Sequence, residues 1–198
     1  MNIQPTDLPG VVIITPRVFK DARGFSFESY NAEKLKAHSI EMVFVQDNQS
    51  CSTRGTLRGL HFQLPPMAQD KLVRCVRGVI WDVAVDIRVG SPTFGRWVGA
   101  ELSAENFRQL LVPAGFAHGF CVLSDEAEVL YKVSAIYSPA HERSIAWDDP
   151  TIGIAWPIAE PLLSDRDRGA PSLADYLAGT PFVYEGGSNV QTLERFNV

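Results

Sequence analysis

Residues 53–78 read TRGTLRGLHFQLPPMAQDKLVRCVRG. His61 stands in the run Gly59-Leu60-His61-Phe62-Gln63, with Arg58 just before it and Lys71 beyond a proline-containing turn. A second stretch answers further along: Pro113-Ala114-Gly115-Phe116-Ala117-His118-Gly119-Phe120, a P-x-G-x-x-H pattern. A lone histidine is usually structural. Here Arg58, Gln63 and Lys71 crowd the same short segment, which is the company of a site. Two histidines on different strands cannot saturate a transition metal that wants three or four N, O or S ligands. The expectation is a metal-free site with no cofactor, in which His61 is free to move a proton.

The surrounding sequence reads as strands and turns. Residues 79–88, VIWDVAVDIR, alternate most clearly: Val79, Trp81, Val83, Val85 and Ile87 share one face, and Asp82, Ala84, Asp86 and Arg88 share the other. Taken alone, Asp82 and Asp86 would suit a solvated sheet face. Further strands are expected over 11–14, 25–30, 42–46, 96–102, 109–112, 120–123 and 129–137, with 46–53 forming a pocket wall. Turn clusters at 90–95 and 103–106 separate them. Strands at roughly 8–12-residue spacing favour a sandwich or barrel over a parallel sheet. Asn31 can cap a short helix from Ala32 to about His38, and Ser172 another through Leu177. The fold expected is mainly β: a cupin-type jelly-roll barrel, an antiparallel β-sandwich with a few short helices mostly near the C-terminus. Residues 1–177 read as a single domain, to which the family resemblance given below adds an N-terminal strand exchange region, and 178–198 as a tail with little periodicity and a flexible character.

On an ideal strand Arg58 and His61 point to opposite faces. Both can reach one pocket only if the strand is bulged between them, and Gly59 lies there.

The 198 residues carry a net charge of −5 without a Lys/Arg run, which argues against nucleic acid as a partner. The apolar runs are far too short for a bilayer span, and no basic segment with an apolar follower opens the chain. Cys51, Cys75 and Cys121 have no metal spacing and read as reduced, mostly packed thiols of a cytoplasmic protein.

The stretches at 21–28, 46–48, 56–63, 71–78, 82–95, 102–120, 131–132, 148–150, 156–157 and 163–167 together resemble the dTDP-4-dehydrorhamnose 3,5-epimerase family, the jelly-roll epimerases of deoxysugar nucleotides. The likeness covers about residues 5–177. A metal-binding cupin has His-x-His and a Glu in its first motif; here the partner position is Gln63, and no Glu lies between Ala68 and Gly78. The resemblance implies epimerisation of dTDP-4-dehydro-6-deoxy-D-glucose to dTDP-4-dehydro-L-rhamnose, at the two carbons beside the ketone, in dTDP-L-rhamnose biosynthesis. It implies His61 as the base, Asp167 (rather than the nearby Asp165) as its partner, Tyr131 as the acid, and Lys71 near the enolate oxygen. Arg58 and Arg23 match diphosphate contacts. Phe25, Glu28 and Gln46 match the thymine-binding group. Asn48, Asp82, His118 and Tyr137 match other pocket-lining positions. The resemblance also implies a homodimer, with Arg23, Phe25 and Glu28 reaching the neighbouring subunit's site. Ser26 stands where the family more often has an aromatic residue. The alternatives are a mono-epimerase at carbon 3 or carbon 5 of a related deoxysugar nucleotide, and a cupin that binds a sugar nucleotide without chemistry.

Overall fold

The computed structural model describes residues 1–179 and 182–186. In chain order the elements are β1 (Asn2–Pro5), β2 (Val12–Thr15), β3 (Phe19–Asp21), β4 (Gly24–Ser26), α1 (Ala32–Lys36), β5 (Gln46–Thr53), β6 (Leu57–Gln63), β7 (Lys71–Arg77), β8 (Val79–Asp86), β9 (Arg88–Val89), β10 (Trp97–Ser103), β11 (Gln109–Val112), β12 (Phe116–Val122), β13 (Glu126–Val133), β14 (Glu142–Ser144), α2 (Asp165–Arg168), α3 (Leu173–Ala178) and β15 (Phe182–Val183). A six-stranded sheet runs β1-β2-β11-β7-β13-β5, and a five-stranded sheet runs β10-β8-β12-β6-β14. Every pairing within these two sheets is antiparallel. They share one core, in which Val73, Cys75, Leu110 and Val129 of the first meet Ile80, Leu102, Phe116 and Phe120 of the second. This is the expected mainly β jelly-roll sandwich.

Both sheets are also covered on their outer faces. Val12, Ile14, Leu72 and Leu111 pack under Leu35 of α1. Val83, Val85 and Ile87 pack under Ile145, Ile152, Leu173 and Tyr176. The alternation along residues 79–88 therefore runs opposite to a half-solvated strand. The rich apolar face lies under the C-terminal layer, while Ile80 and Ala84 turn into the barrel core. Asp82 and Asp86 are not solvated; both are fully buried. Asp86 accepts from Arg88, Ser91 and Thr93 at 2.6–3.0 Å. Burial pushes its carboxyl up, but those donors outweigh burial and hold it below the ordinary value.

Local signals set most element ends. Asn31 accepts from the backbone N–H of Lys34 and starts α1. Ser172 and Asp175 form a capping box that starts α3. Three expected strands are corrected. The polar stretch 46–53 forms β5 itself, whereas residues 42–45 lie outside any strand. The pattern at 25–30 gives only the exposed hairpin β3–β4, because among the described residues no further strand pairs with it. The strand expected over 120–123 starts at Phe116, since β12 is paired on both sides; His118 thus sits inside a strand rather than in a turn.

Part of the C-terminal stretch 178–198 is structured. Phe182–Val183 pairs in parallel with Arg88–Val89, and Tyr176 Oη bridges the Ile87 carbonyl and the Phe182 N–H. The rest of the stretch read as flexible, residues 180–181 and 187–198, lies outside the described residues. Among the described residues no helix is long and apolar enough to cross a membrane.

The bulge expected at Gly59 is present. His61 pairs with His118 and Arg58 with Phe120, so three steps on β6 face two on β12. The Gly59–Leu60 peptide bond is cis. Gly59 has φ +142°, and a Cβ there would stand 2.6 Å from the Gly119 Cα and 3.2 Å from the His118 carbonyl oxygen. No side chain fits between these backbones. Gly59→Ala is expected to cost roughly 2–5 kcal/mol, the sum of a backbone conformation foreign to alanine and an overpacked strand contact. Urea unfolding of the variant against the parent measures it.

Candidate active site

A cavity of about 180 Å³ opens into the barrel between the two sheets. β5 lines it with every second residue, Gln46, Asn48 and Ser50; β6 supplies Arg58 and His61 on either side of the bulge. Lys71 at the start of β7, Tyr131 of β13, His118 of β12, and Tyr137 and Glu142 complete the charged and aromatic lining. A roomier surface groove of about 380 Å³ runs beside Phe94, Trp97 and Leu173, but among the described residues Arg96 is the one charged side chain lining it. Acid–base chemistry requires the smaller, titratable cavity.

His61 Nε2 lies 2.5 Å from Asp167 Oδ1. Asp167 is held where the Ser164 hydroxyl accepts its backbone N–H and starts α2. Burial pushes the Asp167 carboxyl up, but the contacts with His61 and Ser164 prevail and hold it below the ordinary value. An ionised Asp167 makes Nε2 the protonated nitrogen and leaves Nδ1 with the lone pair. Asp165, the neighbour with the same chemistry, is fully exposed and accepts from Arg168.

Lys71 is buried and donates from Nζ to the His61 carbonyl oxygen at 3.0 Å. Burial draws its ammonium down to about 8, against the pull of Asp82 and Glu142. Tyr131 stands on the opposite sheet from His61. Burial raises its phenol, Glu142 adds to the rise and Arg58 opposes it, so the hydroxyl keeps its proton at neutral pH. Arg58 gives Nε to the Ser52 hydroxyl at 3.1 Å and has no carboxylate partner among the described residues. Its remaining donors are available to an anion.

Gln46 bonds Asn48 and receives the Tyr137 backbone N–H. His118 Nε2 lies 2.8 Å from Asp82 Oδ1. Asp82, read from the sequence as a pocket-lining position, is fully buried and takes no part in the lining; it touches the site through His118. Arg23, Phe25 and Glu28 do not line this cavity either. Arg23 pairs with Asp21, Phe25 packs on Phe107 and Glu28 pairs with Lys34, all near the exposed hairpin. Gln63, where a metal-binding barrel would place a ligand, is consumed structurally: its amide donates to the Met67 and Ile136 carbonyls and accepts from Ser138 N–H.

Sequence reading missed Glu142 and Arg166. Glu142 accepts from Tyr137 Oη at 2.7 Å and from Arg166 Nη1 at 2.6 Å at the cavity. Burial pushes its carboxyl up, and these two donors more than compensate. Glu142 sits in a polar stretch, HERS, without periodicity. Only the position of Arg166 beside Asp167 hinted at a role for that segment.

The model of the dTDP-4-dehydrorhamnose 3,5-epimerase family matches residues 5–175. The chain belongs to this family of isomerases. The enzyme of that name from Shigella flexneri is 57% identical over 176 residues, 88% of this chain and 97% of its own length. The one from Pseudomonas aeruginosa is 56% identical over 172 residues, 85% and 93% of the two chains. The crystal structure of the Legionella pneumophila dTDP-6-deoxy-D-glucose-3,5-epimerase in complex with dTDP-4-keto-L-rhamnose superposes with TM-score 0.90 at 46% identity, over 93% of this chain and 98% of that one. A 3'-monoepimerase from Streptomyces bikiniensis, crystallised with dTDP as a histidine-to-asparagine, tyrosine-to-phenylalanine double mutant, matches with TM-score 0.86 at 40% identity over 91% and 92%. Family membership therefore leaves both double and single epimerases in view.

Proposed function

We propose that the chain epimerises dTDP-4-dehydro-6-deoxy-D-glucose to dTDP-4-dehydro-L-rhamnose at carbons 3 and 5, without metal or redox cofactor. The observation that carries the reading is an imidazole and a protonated phenol from the two sheets in one cavity, with a buried ammonium that reaches from the strand beside the phenol's to the His61 carbonyl. Protons on carbons beside a ketone are acidic because the resulting enolate spreads its charge onto oxygen. His61 Nδ1 takes such a proton from one face, with Asp167 fixing the tautomer and supporting the imidazolium that forms. Lys71 meets the charge that develops on the ketone oxygen. Tyr131 returns a proton from the other face, which inverts the carbon. Arg58 binds the diphosphate, and Gln46, Asn48 and Tyr137 line the path to the base.

Arg23, Phe25 and Glu28 serve the site of a second copy in this reading. Its support is the exposure of their hairpin: Phe19 and Phe25 are 58% and 60% exposed. Large apolar side chains so displayed are the mark of a surface that another chain covers.

Proton NMR of the substrate in heavy water tests the reading. Deuterium entering at both carbons beside the ketone supports it. Entry at one carbon only makes the chain a mono-epimerase, and binding without exchange makes it a binding protein. The buried lysine adds a pH signature. Lys71 titrates below its ordinary value, so its cation is complete below about 8 and lost as pH rises through that value. The exchange rate at saturating substrate is expected to fall about tenfold per pH unit above that point. A rate that holds level to pH 10 removes Lys71 from the reaction.

A further inference from the structure

We propose that Asp82 is a positioning residue whose carboxylate serves as the counter-ion of Lys71 and fixes the ring of His118. The inference rests on the reading that Lys71 works as a cation on the ketone.

Asp82 contributes no atom to the cavity wall, yet it is the carboxylate placed among the groups that do. Oδ1 takes His118 Nε2 at 2.8 Å, while Oδ2 is buried with no hydrogen bond among the described residues. An unpaired buried carboxylate oxygen is rare and costly unless a cation stands near. The other buried carboxylates, and Glu142 at the cavity, are spent: Asp86 on Arg88, Ser91 and Thr93, Asp149 on the backbone N–H groups of Thr151, Ile152 and Leu173, Asp167 on His61, and Glu142 on Tyr137 and Arg166. Lys71 has the complementary deficit. The one hydrogen bond its Nζ makes among the described residues goes to a neutral carbonyl, and a buried ammonium needs an anion to stay charged.

The groups that face Lys71 come from six elements. Asp82 of β8 and Glu142 of β14 favour the cation; Arg166 of α2 opposes it. His61 of β6 and His118 of β12 share the cluster, and Tyr131 of β13 lines the same cavity. Burial is the largest influence on Lys71, and Asp82 is the largest charge set against it. Glu142 is partly neutralised by Arg166, so Asp82 supplies the dependable negative charge. The same carboxylate holds His118 Nε2 as the donor and leaves Nδ1 as the bare nitrogen.

The test reads Lys71 directly, without substrate. Protein labelled with ¹⁵N at the lysine Nζ is titrated by NMR, and the Lys71 signal is assigned through Lys71→Arg. Asp82→Asn keeps the shape and the acceptor for His118 but removes the charge. Its Lys71 signal is expected to titrate at least about one pH unit lower than in the parent, a tenfold change in proton affinity. His118→Asn removes the ring and leaves the carboxylate, so its Lys71 titration should stay put or rise. An unmoved Lys71 in folded Asp82→Asn overturns the proposal. So does a His118→Asn protein whose Lys71 titration falls by a unit, an outcome that decides the matter even if Asp82→Asn does not fold. The basic limb of deuterium exchange should shift with the amine. An amine that moves while the limb stays supports Asp82 as counter-ion and overturns the role of Lys71 in the reaction.

Discussion

His61→Asn is expected to lower deuterium incorporation at both carbons by about 10²–10⁴-fold, the usual worth of a general base. Asparagine is polar and smaller than the imidazole, so it enters the cavity without overpacking, although its amide ends short of the Nε2 position that Asp167 meets. What it lacks is a basic lone pair on the substrate side. In the parent, Asp167 occupies Nε2 at 2.5 Å and leaves Nδ1 as the base. One imidazole serves both carbons in this reading, so both exchanges fall together. Calorimetric affinity for dTDP should stay within about threefold, because Arg58 and the β5 side chains bind the nucleotide independently of proton transfer. A variant that exchanges within tenfold of the parent at either carbon refutes the role of His61 there.

The cavity's inner residues were legible as motif positions: Arg58, His61, Lys71, His118 and Tyr131 all match positions of the family, and one cavity gathers them. Strand periodicity adds that Arg58 and His61 should face apart. Even the exception was readable: the bulge between Arg58 and His61 followed from their spacing and Gly59, and the register shift opposite Gly119 is its counterpart. Asp82 marks the limit of that reasoning. Alternation placed it on the polar face of β8, but could not say whether that face met water, substrate or other side chains. Its burial depends on β12, which pairs with β8 and brings His118 against it from a position remote in sequence. Glu142 and Arg166 escaped for a similar reason. Their segments lack periodicity, and only tertiary packing brings them to the cavity mouth. The solvated reading of Asp86 failed because the closing turn 91–93 folds its hydroxyls back onto the carboxylate.

Tyr131→Phe is expected to separate two events that the parent couples. The phenol is the acid in this reading, and His61 on the other sheet is the base. Removing one hydroxyl leaves proton abstraction by His61 intact. The enolate then recovers a deuteron from the face that lost the proton, and the carbon keeps its configuration. Deuterium should therefore still enter, while the yield of inverted product falls about 10²–10³-fold, the effect of deleting one acid in a two-base epimerisation. The coupling constants of the ring protons report inversion, and loss of the proton signals reports exchange, so one NMR time course reads both. Burial favours this clean outcome. Tyr131 packs against the barrel core, and phenylalanine fills the same volume without an unpaired hydroxyl. The contrary result is equally informative. Exchange and inversion lost in equal proportion would mean that Tyr131 orients the sugar for His61 rather than delivering the second proton. Inversion retained at one carbon alone would mean that water or another titratable group of the lining, such as Glu142, protonates that carbon. A chain that inverts both carbons through one imidazole and one phenol has to lose both inversions when the phenol is gone.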